Sequence, residues 1–127
     1  MAIRTELNLR LPNSPGALAG VFRVLAGDRV RVLAMSLDAS GLLRLVVDNP
    51  VRAVGVLRER RHPVSEREVL SVTVAPAPGA LDGVLALLAD AGINVEYAYA
   101  AAPETAGMVS AFIGVEDVAR AATVAGA

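Results

Sequence analysis

A four-residue motif occurs twice in this sequence, and its repetition constrains the fold more than any other feature. Pro15-Gly16-Ala17-Leu18 returns as Pro78-Gly79-Ala80-Leu81, a shift of about 63 residues. The same shift superposes further pairs of like residues: Leu25-Ala26 on Leu88-Ala89, Val30 on Ile93, and Val32 on Val95. Such self-similarity is typical of a duplicated supersecondary unit. Any function is therefore expected to reside in a pair of like modules.

The length of the chain favours two halves that pack together. A chain of 127 residues with 54% hydrophobic residues can bury a substantial core, whereas a half of about 60 residues is marginal alone. Charged residues interrupt every long apolar run, so the sequence predicts neither a membrane-spanning helix nor a membrane partner. The N-terminus lacks the basic and apolar regions of a signal peptide, and we expect a cytoplasmic protein.

The composition excludes several kinds of chemistry. The absence of Cys excludes disulfides, thiolate nucleophiles and the soft ligands of zinc sites. All twelve cationic side chains are Arg, which excludes a lysine Schiff base and a Walker-type phosphate loop. A net charge of -1 and 3% aromatic residues are not typical of nucleic-acid binders, so we expect no nucleic-acid partner.

No catalytic constellation is visible in the sequence. The carboxylates fall mostly in predicted loops and helix ends, as Asp28, Asp48, Asp90 and Asp117 do. The single histidine, His62, lies in a mixed-charge stretch that is typical of a solvated helix end and connector. A lone histidine without a second ligand nearby favours a surface residue over a metal ligand. We predict no enzyme activity, no metal site and no cofactor.

Residue periodicity in the first half predicts strand, helix, strand, strand, helix, strand. Alternation places the apolar residues of the first strand, over residues 3–11, on one buried face. A helix follows, with Ser14 as its N-cap and Pro15 at its first position, and Gly27-Asp28 ends it. Further strands are predicted over residues 30–37, residues 42–47 and near Val64. A second helix starts at Asp48-Asn49-Pro50, ends before Pro63 and buries a predicted stripe: Val51, Val54 and Leu57.

The second predicted strand is apolar on both faces. If Val30, Val32 and Ala34 face the helices, then the opposite face carries three large apolar side chains: Leu33, Met35 and Leu37. An antiparallel sheet open to water should carry polar groups there. We expect this face to be covered by a partner, and a homodimer would cover it.

The second half repeats the plan and then runs out of residues. The pattern predicts a strand over residues 69–74, a helix over 80–91, strands over 93–100 and 108–115, and a helix from Glu116. Only residues 123–127 remain where a last strand would be expected. That strand is therefore predicted to be short or absent.

These features together resemble the ACT domain, a small ligand-sensing module of amino-acid metabolism. The resemblance is carried by Asn13-Ser14-Pro15-Gly16-Ala17-Leu18 and Gly92-Ile93-Asn94-Val95, and it is greatest to short stand-alone tandem-ACT proteins, in which Glu96-Tyr97-Ala98-Tyr99 also fits well. It implies an α+β fold of two ferredoxin-like βαββαβ modules, residues 1–66 and 67–127, with antiparallel sheets and helices on one face. It also implies a non-catalytic regulatory protein.

The resemblance further implies where a small amino acid would bind. In ACT domains the effector commonly lies between two modules, held by main-chain amides of the strand-to-helix loop of one and strand residues of the other. The two copies differ at these places, since Arg31 stands where the second copy has Asn94, and Pro76-Ala77 stands for Asn13-Ser14. The implied ligand-binding residues are Asn13, Ser14, Gly16, Ala17, Leu18, Arg31, Ala77, Gly79, Ala80, Leu81 and Asn94.

Physical chemistry supports an anion at one of these loops. Ala77 stands where a side-chain cap of the second-half helix would sit, which leaves its first amides for a carboxylate or for water. A helix terminus offers only about 0.3–2 kcal/mol, whereas micromolar binding needs about 8 kcal/mol. An amino acid would therefore also need an acceptor for its ammonium group, from Asn94, a carbonyl or the Asn13 amide, together with a shaped pocket.

Two further hypotheses remain open at this point. Tyr97 and Tyr99 lie on one face of their strand, where packing is favoured over ligand stacking.

The chain is predicted to be an amino-acid sensor, and the alternative is an interaction module that binds no small molecule and regulates a separate metabolic enzyme. An apolar strand face and an incomplete second copy fit both hypotheses.

Overall fold

The computed structural model describes residues 2–104 and 107–126. These residues form an α+β fold of four helices and six strands in antiparallel ladders, as predicted. The elements in chain order are β1 (Ala2–Arg10), α1 (Ala17–Gly27), β2 (Val32–Leu37), β3 (Leu42–Val47), α2 (Pro50–Glu59), β4 (Ser65–Val74), α3 (Asp82–Asp90), β5 (Tyr97–Ala101), β6 (Val109–Gly114) and α4 (Val118–Val124). The described residues hold no strand after α4, which agrees with the prediction of a short or absent last strand.

The chain divides into two compact units. The basic unit spans Thr5–Arg67 and holds ten Arg against six Asp or Glu, a net charge of +4. The acidic unit contains the described residues up to Arg4 together with those from Glu68 onward, and its two Arg against seven Asp or Glu give a net charge of -5. Each unit has its own hydrophobic core.

In the basic unit, β3 pairs with β1 on one side and with β2 on the other. Leu7 lies opposite Leu45 and Leu9 opposite Leu43, so these side chains share one face of the ladder. That face packs against Val21 and Leu25 of α1 and against Leu57 of α2. The amphipathic pattern of the first half is thus satisfied by helices on one face of the strands.

In the acidic unit, β6 pairs with β4 and with β5. Leu70 lies opposite Ile113, and Val72 lies opposite Ala111. These residues form a core with Val84 and Leu88 of α3 and with small residues of α4. The second unit therefore repeats the packing of the first with smaller side chains.

The first helix begins two residues later than its sequence predicted. Gly16, with φ 86°, precedes Ala17 as the N-cap, and no side chain among the described residues accepts a hydrogen bond from its first turn. Ser14 is not the N-cap, because its carbonyl oxygen instead accepts the Ala17 N–H at 3.3 Å in a turn that contains Pro15. The predicted end at Gly27-Asp28 is confirmed, with Asp28 as the C-cap.

Two strands predicted around residues 64–74 are one strand. β4 runs without a break from Ser65 to Val74, and Val64 is buried just before it. The charged residues at 66–68 suggested a connector, but this segment contains no glycine or proline to interrupt an extended chain. β5, in contrast, begins at Tyr97 rather than at Ile93.

A β-bulge reverses the predicted faces of β2. Val32 lies opposite Val47, but Ala34 lies opposite Val46, so Leu33 is an extra residue in the ladder. Beyond the bulge, Met35 pairs with Leu45 and Leu37 pairs with Leu43, on the face of the sheet that carries the helices. Met35 and Leu37 are therefore on the helix side, contrary to the prediction. Ala34, which was expected on the helix side, is on the other face. Leu33, Met35 and Leu37 remain 37–41% exposed.

Two predicted burial patterns were also wrong. Alternation in the first strand predicts Glu6 on a polar face, yet Glu6 is fully buried and accepts a hydrogen bond from Asn8 Nδ2 at 3.1 Å. Val51 was assigned to the buried stripe of α2 but is 84% exposed. The buried side of α2 consists of Ala53, Val54 and Leu57, with Val54 at its edge. Val51 lies beyond this edge, on the solvent side of the helix.

Candidate functional site

The first strand-to-helix loop and the β2–β3 hairpin enclose a cavity of about 130 Å³, which we call the loop cavity. Asn13 and Ser14 line it from the loop, and Ala17 and Leu18 line it from the first turn of α1. The other lining residues come from the start of the loop, just after β1, and from the hairpin: Leu11, Pro12, Leu37, Asp38, Ala39 and Gly41. Four of the residues predicted to bind a ligand are therefore brought together.

The loop cavity lies at the N-terminus of α1. Gly16 is not among its lining residues, but as N-cap it positions the first turn, and its carbonyl oxygen accepts the Gly20 N–H at 2.9 Å. A helix N-terminus without a side-chain cap offers N–H groups and a partial positive charge to an anion. This end of the cavity therefore favours a carboxylate.

Asp38 supplies a negative charge to the same cavity. Its carboxylate accepts hydrogen bonds from the Ser40 hydroxyl, from the Ser40 N–H at 2.9 Å and from the Leu42 N–H at 3.4 Å. The Ser40 hydroxyl, above all, holds the pKa of Asp38 below its ordinary value. Asp38 is therefore ionised at neutral pH and can accept a hydrogen bond from a cation.

The second strand-to-helix loop differs from the first at the start of its helix. The helix starts at Asp82 with Leu81 as N-cap, so Ala77 lies well before it and is not at the cap position. The Ala80 N–H is bonded to the Ala77 carbonyl oxygen at 3.0 Å, and the Asp82 N–H to that of Gly79 at 3.1 Å. The Asp82 carboxylate in the first turn disfavours an anion at this helix end.

The acidic unit instead contains an apolar groove of about 120 Å³ between α3 and β5. The groove lies next to the second strand-to-helix loop. Of the residues predicted to bind a ligand, Leu81 alone is among its lining residues. Its lining residues are Leu81, Val84, Leu85, Ala98, Tyr99, Ala100, Ala111 and Ile113.

Arg31 and Asn94 lie outside both of these sites. The Arg31 N–H donates to Asp48 Oδ1 at 2.9 Å, and the Arg31 carbonyl oxygen accepts the Asp48 N–H at 3.0 Å. Asn94 lines a separate polar cavity of about 260 Å³ in the acidic unit, together with Gly92, Ile93, Glu96, Glu116, Asp117 and Arg120. Neither residue meets the loop of its own unit.

The structure also shows a repeated arginine that the sequence analysis missed. Arg120 Nη2 donates to the Ala91 carbonyl oxygen at 2.6 Å, at the end of α3. Arg52 Nη1 donates to the Asp28 carbonyl oxygen at 3.4 Å, at the end of α1. Each arginine lies three residues after an N-cap, Asp117 or Asn49, whose side chain accepts its N–H. Aligning these two helix starts would have found the pair.

We expect Arg120→Gln to lower the free energy of unfolding by about 1 kcal/mol, because a cation at a helix C-terminus is lost. Arg52→Gln should cost less, since its hydrogen bond is 0.8 Å longer by the two distances above. Chemical denaturation of both variants, with Arg23→Gln on the exposed side of α1 as control, measures the effect. A loss no greater for Arg120→Gln than for Arg23→Gln would contradict this role.

Tyr97 and Tyr99 pack against other aromatic rings of their unit, in agreement with the prediction of packing over ligand stacking. The Tyr97 and Tyr99 rings stack at a centroid distance of 6.4 Å, and Tyr99 stacks on Phe112 at 5.5 Å. Tyr97 lies directly over Gly114, where a Cβ atom would meet its ring. Both rings lie on the face of β5 that is opposite to Ala98 and Ala100.

No helix in the described part of the chain is both long enough and apolar enough to cross a membrane. Within residues 2–104 and 107–126, no three or more His, Asp or Glu side chains are grouped so that they could hold a metal ion.

Comparison with known proteins identifies the class of this chain. The family profile described as an ACT domain pair matches residues 1–123, and the chain therefore belongs to the ACT domain pair family. A search of curated proteins returned no significant match.

Solved structures agree with the fold. A protein from Bacteroides thetaiotaomicron superposes with a TM-score of 0.88 at 26% identity, covering 96% of this chain and 85% of that one. The ligand-free regulatory subunit of aspartate kinase from Thermus thermophilus gives 0.68 at 20% identity, with 98% and 92% covered. Escherichia coli aspartokinase III in complex with lysine and aspartate gives 0.57 at 21% identity, with 94% and 30% covered.

Proposed function

We propose that this protein is a non-catalytic regulatory protein that binds a small amino acid at an interface between ACT modules. The modules are residues 1–66 and 67–127, and the protein acts as a homodimer in the cytoplasm. Membership in the ACT domain pair family supports a regulatory role. The observation that carries the proposal is the loop cavity, where a helix N-terminus and an ionised carboxylate line the same space.

The charges of the loop cavity match those of an amino-acid zwitterion. The ligand's carboxylate would accept hydrogen bonds from the first-turn N–H groups of α1, and its ammonium group would donate to Asp38 or to the Asn13 amide oxygen. The cavity volume of about 130 Å³ favours a small side chain. The acidic unit lacks this pairing, because Ala101 stands at the place of Asp38 and Asp82 occupies the helix start.

The loop cavity alone would bind weakly, so a neighbouring module is needed. A helix terminus contributes about 0.3–2 kcal/mol and an exposed ion pair adds little, whereas micromolar binding needs about 8 kcal/mol. The remaining predicted residues would be supplied by another module: Arg31, Ala77, Gly79, Ala80, Leu81 and Asn94. The half-exposed side chains of Leu33, Met35 and Leu37 support such a neighbour, because association would remove them from water.

Thermal unfolding in the presence of each of the twenty amino acids tests the proposal. A ligand present at about 100 times its Kd stabilises the folded state by about 2.7 kcal/mol, which raises Tm by several degrees. We expect one or two small amino acids to raise Tm and the others to leave it unchanged. If none raises Tm at millimolar concentration, amino-acid binding is contradicted.

The second candidate is a subunit that binds no small molecule and regulates a separate metabolic enzyme. One structural relative is named as the regulatory subunit of aspartate kinase, and the match covers 92% of its chain. Purification of the tagged full chain from a native lysate tests this candidate. A stoichiometric enzyme in the eluate, with no amino acid raising Tm, favours the second candidate over the first.

A further inference from the structure

A cleft of about 420 Å³ lies between α1 and α2 of the basic unit, and we call it the helix cleft. Its volume falls within the range of small-molecule sites, about 300–1,000 Å³. Its lining residues differ from those of the loop cavity, and none of them was predicted to bind an amino acid. The helix cleft is therefore a separate feature of the basic unit.

Two valines give the helix cleft an apolar part. Val24 of α1 and Val56 of α2 are partly buried and pack against the core of the basic unit. Gly27 also lines the cleft, and a Cβ atom at this position meets no atom within 4 Å. This wall thus carries no side chain that fills the space, and the cleft can accommodate the organic part of a small ligand.

Two arginines, one from each helix, line the same cleft. Arg23 lies on α1, Arg60 is the C-cap of α2, and both are exposed. Among the described residues, neither guanidinium group takes part in a hydrogen bond or a salt bridge. Guanidinium groups remain charged at physiological pH and bind phosphate through paired N–H donors. The helix cleft therefore offers two cations to an anion.

The carboxylates that line the helix cleft do not cancel these two charges. Asp28 Oδ2 lies 3.8 Å from Arg52 Nε, so a third arginine matches the charge of Asp28. Glu59 offsets one of the two free arginines, and its oxygens can accept hydrogen bonds from hydroxyl groups of a ligand. The net charge of +4 on the basic unit also attracts anions.

The acidic unit differs at the corresponding place. The shift of about 63 residues sets Ala86 at the place of Arg23 and Asp90 at the place of Gly27. An anion there would meet a carboxylate instead of a guanidinium group. The two free arginines are therefore a property of the first copy of the repeat and not a consequence of the shared fold.

We propose that the helix cleft binds a phosphorylated sugar or a nucleotide, with the phosphate group between the guanidinium groups of Arg23 and Arg60. The organic part lies against Val24 and Val56, and a sugar hydroxyl donates to Glu59. Two guanidinium groups suit a phosphate monoester, which carries about -1.5 to -2 charges at neutral pH. The inference goes beyond the proposed function and does not rest on amino-acid binding.

Calorimetric titration of the full chain with AMP, ribose 5-phosphate, inorganic phosphate and adenosine tests the proposal. We expect AMP or ribose 5-phosphate to bind more tightly than inorganic phosphate, and adenosine to bind more weakly than AMP. The tighter of the two esters identifies the ligand as a nucleotide or as a sugar phosphate. If neither ester binds at about 10 mM, the proposal is overturned. It is also overturned if inorganic phosphate binds as tightly as both esters, or adenosine as tightly as AMP.

Replacing the arginines tests the position of the phosphate group. Arg23→Gln and Arg60→Gln should each raise the Kd of the tighter ester by about twofold to fivefold, and the double variant by about tenfold, because exposed ion pairs are lost. Arg4→Gln removes the same charge from the acidic unit and should leave the Kd unchanged. A folded double variant with the Kd of the parent overturns the proposal.

Filling the helix cleft provides an independent test. Gly27→Leu should raise the Kd of the ester by about tenfold or more, because the new side chain takes up space that the ligand needs. Gly55→Leu is the matched control, since Gly55 is exposed on α2, does not line the cleft and has no atom within 4 Å of an added Cβ. Thermal unfolding verifies that each variant is folded. A folded Gly27→Leu variant that binds like the parent overturns the proposal.

The amino-acid screen remains a separate test of the proposed function. Gly27 does not line the loop cavity, so any Tm shift that an amino acid causes in the parent should persist in Gly27→Leu. Loss of phosphate-ester binding with an unchanged amino-acid response assigns the two ligands to different sites. An amino-acid response that is lost together with ester binding in the folded variant overturns the helix cleft as a separate site.

Discussion

Gly41→Ala is expected to lower the free energy of unfolding by about 3 kcal/mol, and Tm by roughly 10 °C. Gly41 has φ 88°, a region that costs a side-chain-bearing residue about 1–2 kcal/mol. A Cβ atom there would lie 2.5 Å from the Leu11 carbonyl oxygen. The backbone would have to move, which weakens the 2.8 Å hydrogen bond from the Leu11 N–H to the Gly41 carbonyl oxygen.

Gly20→Ala is the matched control for this prediction. Gly20 lies inside α1, and a Cβ atom at this position meets no atom within 4 Å. Alanine there should raise stability by about 0.5–1 kcal/mol, because it favours the helix. Urea denaturation of the two variants measures both effects. If Gly41→Ala were as stable as the parent, the close approach of the hairpin to Leu11 would be contradicted, and with it the closed wall of the loop cavity.

Asp38→Asn is expected to weaken amino-acid binding by about twofold to fivefold, the range of an exposed ion pair. The amide oxygen of Asn can still accept the hydrogen bonds of the hairpin, so the fold should hold while the negative charge is lost. Calorimetric titration with whichever amino acid raises Tm measures the change. Asp90→Asn, an exposed carboxylate at the end of α3, is the control and should leave the Kd unchanged.

The pH dependence of binding provides a second check on Asp38. Because its pKa is lowered in the folded protein, Asp38 stays ionised below the pH at which an ordinary aspartate is half protonated. Affinity in the parent should therefore persist into mildly acidic solution and fall only as the pH drops through the lowered pKa. The ionised Asp38 carboxylate also stabilises the folded state slightly. This stabilisation is fully present above the pKa of Asp38 in the unfolded chain and is lost as the pH falls through its lower pKa in the folded protein. Asp38→Asn should lack this acid limb.

The repeat and the element order could be predicted from sequence because both are written locally. Apolar residues at helical spacing in α1, and alternation in β1 and β3, depend on neighbours within one turn or one strand. The ends of elements were less well predicted. Ser14 competes for the cap position with Gly16, and the choice depends on the φ angle that the loop requires.

The bulge in β2 shows a different kind of limit. The letters from Val32 to Leu37 are apolar on both faces, so the pattern does not reveal where one residue is extra. The register is fixed by the pairing of Val47 and Val46 across the ladder, which lies outside the strand's own sequence. A shift of one residue then moved Met35 and Leu37 to the helix side.

The sequence by itself determined the duplication, the α+β class and the family to which this chain belongs, because these depend on periodicity and on motifs a few residues long. Only the tertiary structure brought Asp38 to the first turn of α1. These two segments are separated along the chain by a helix and a strand, and their approach depends on the ladder register and on the contact between Leu11 and Gly41. The same dependence distinguished the two copies, since small side chains on β5 open a groove only where α3 and β6 form its other walls.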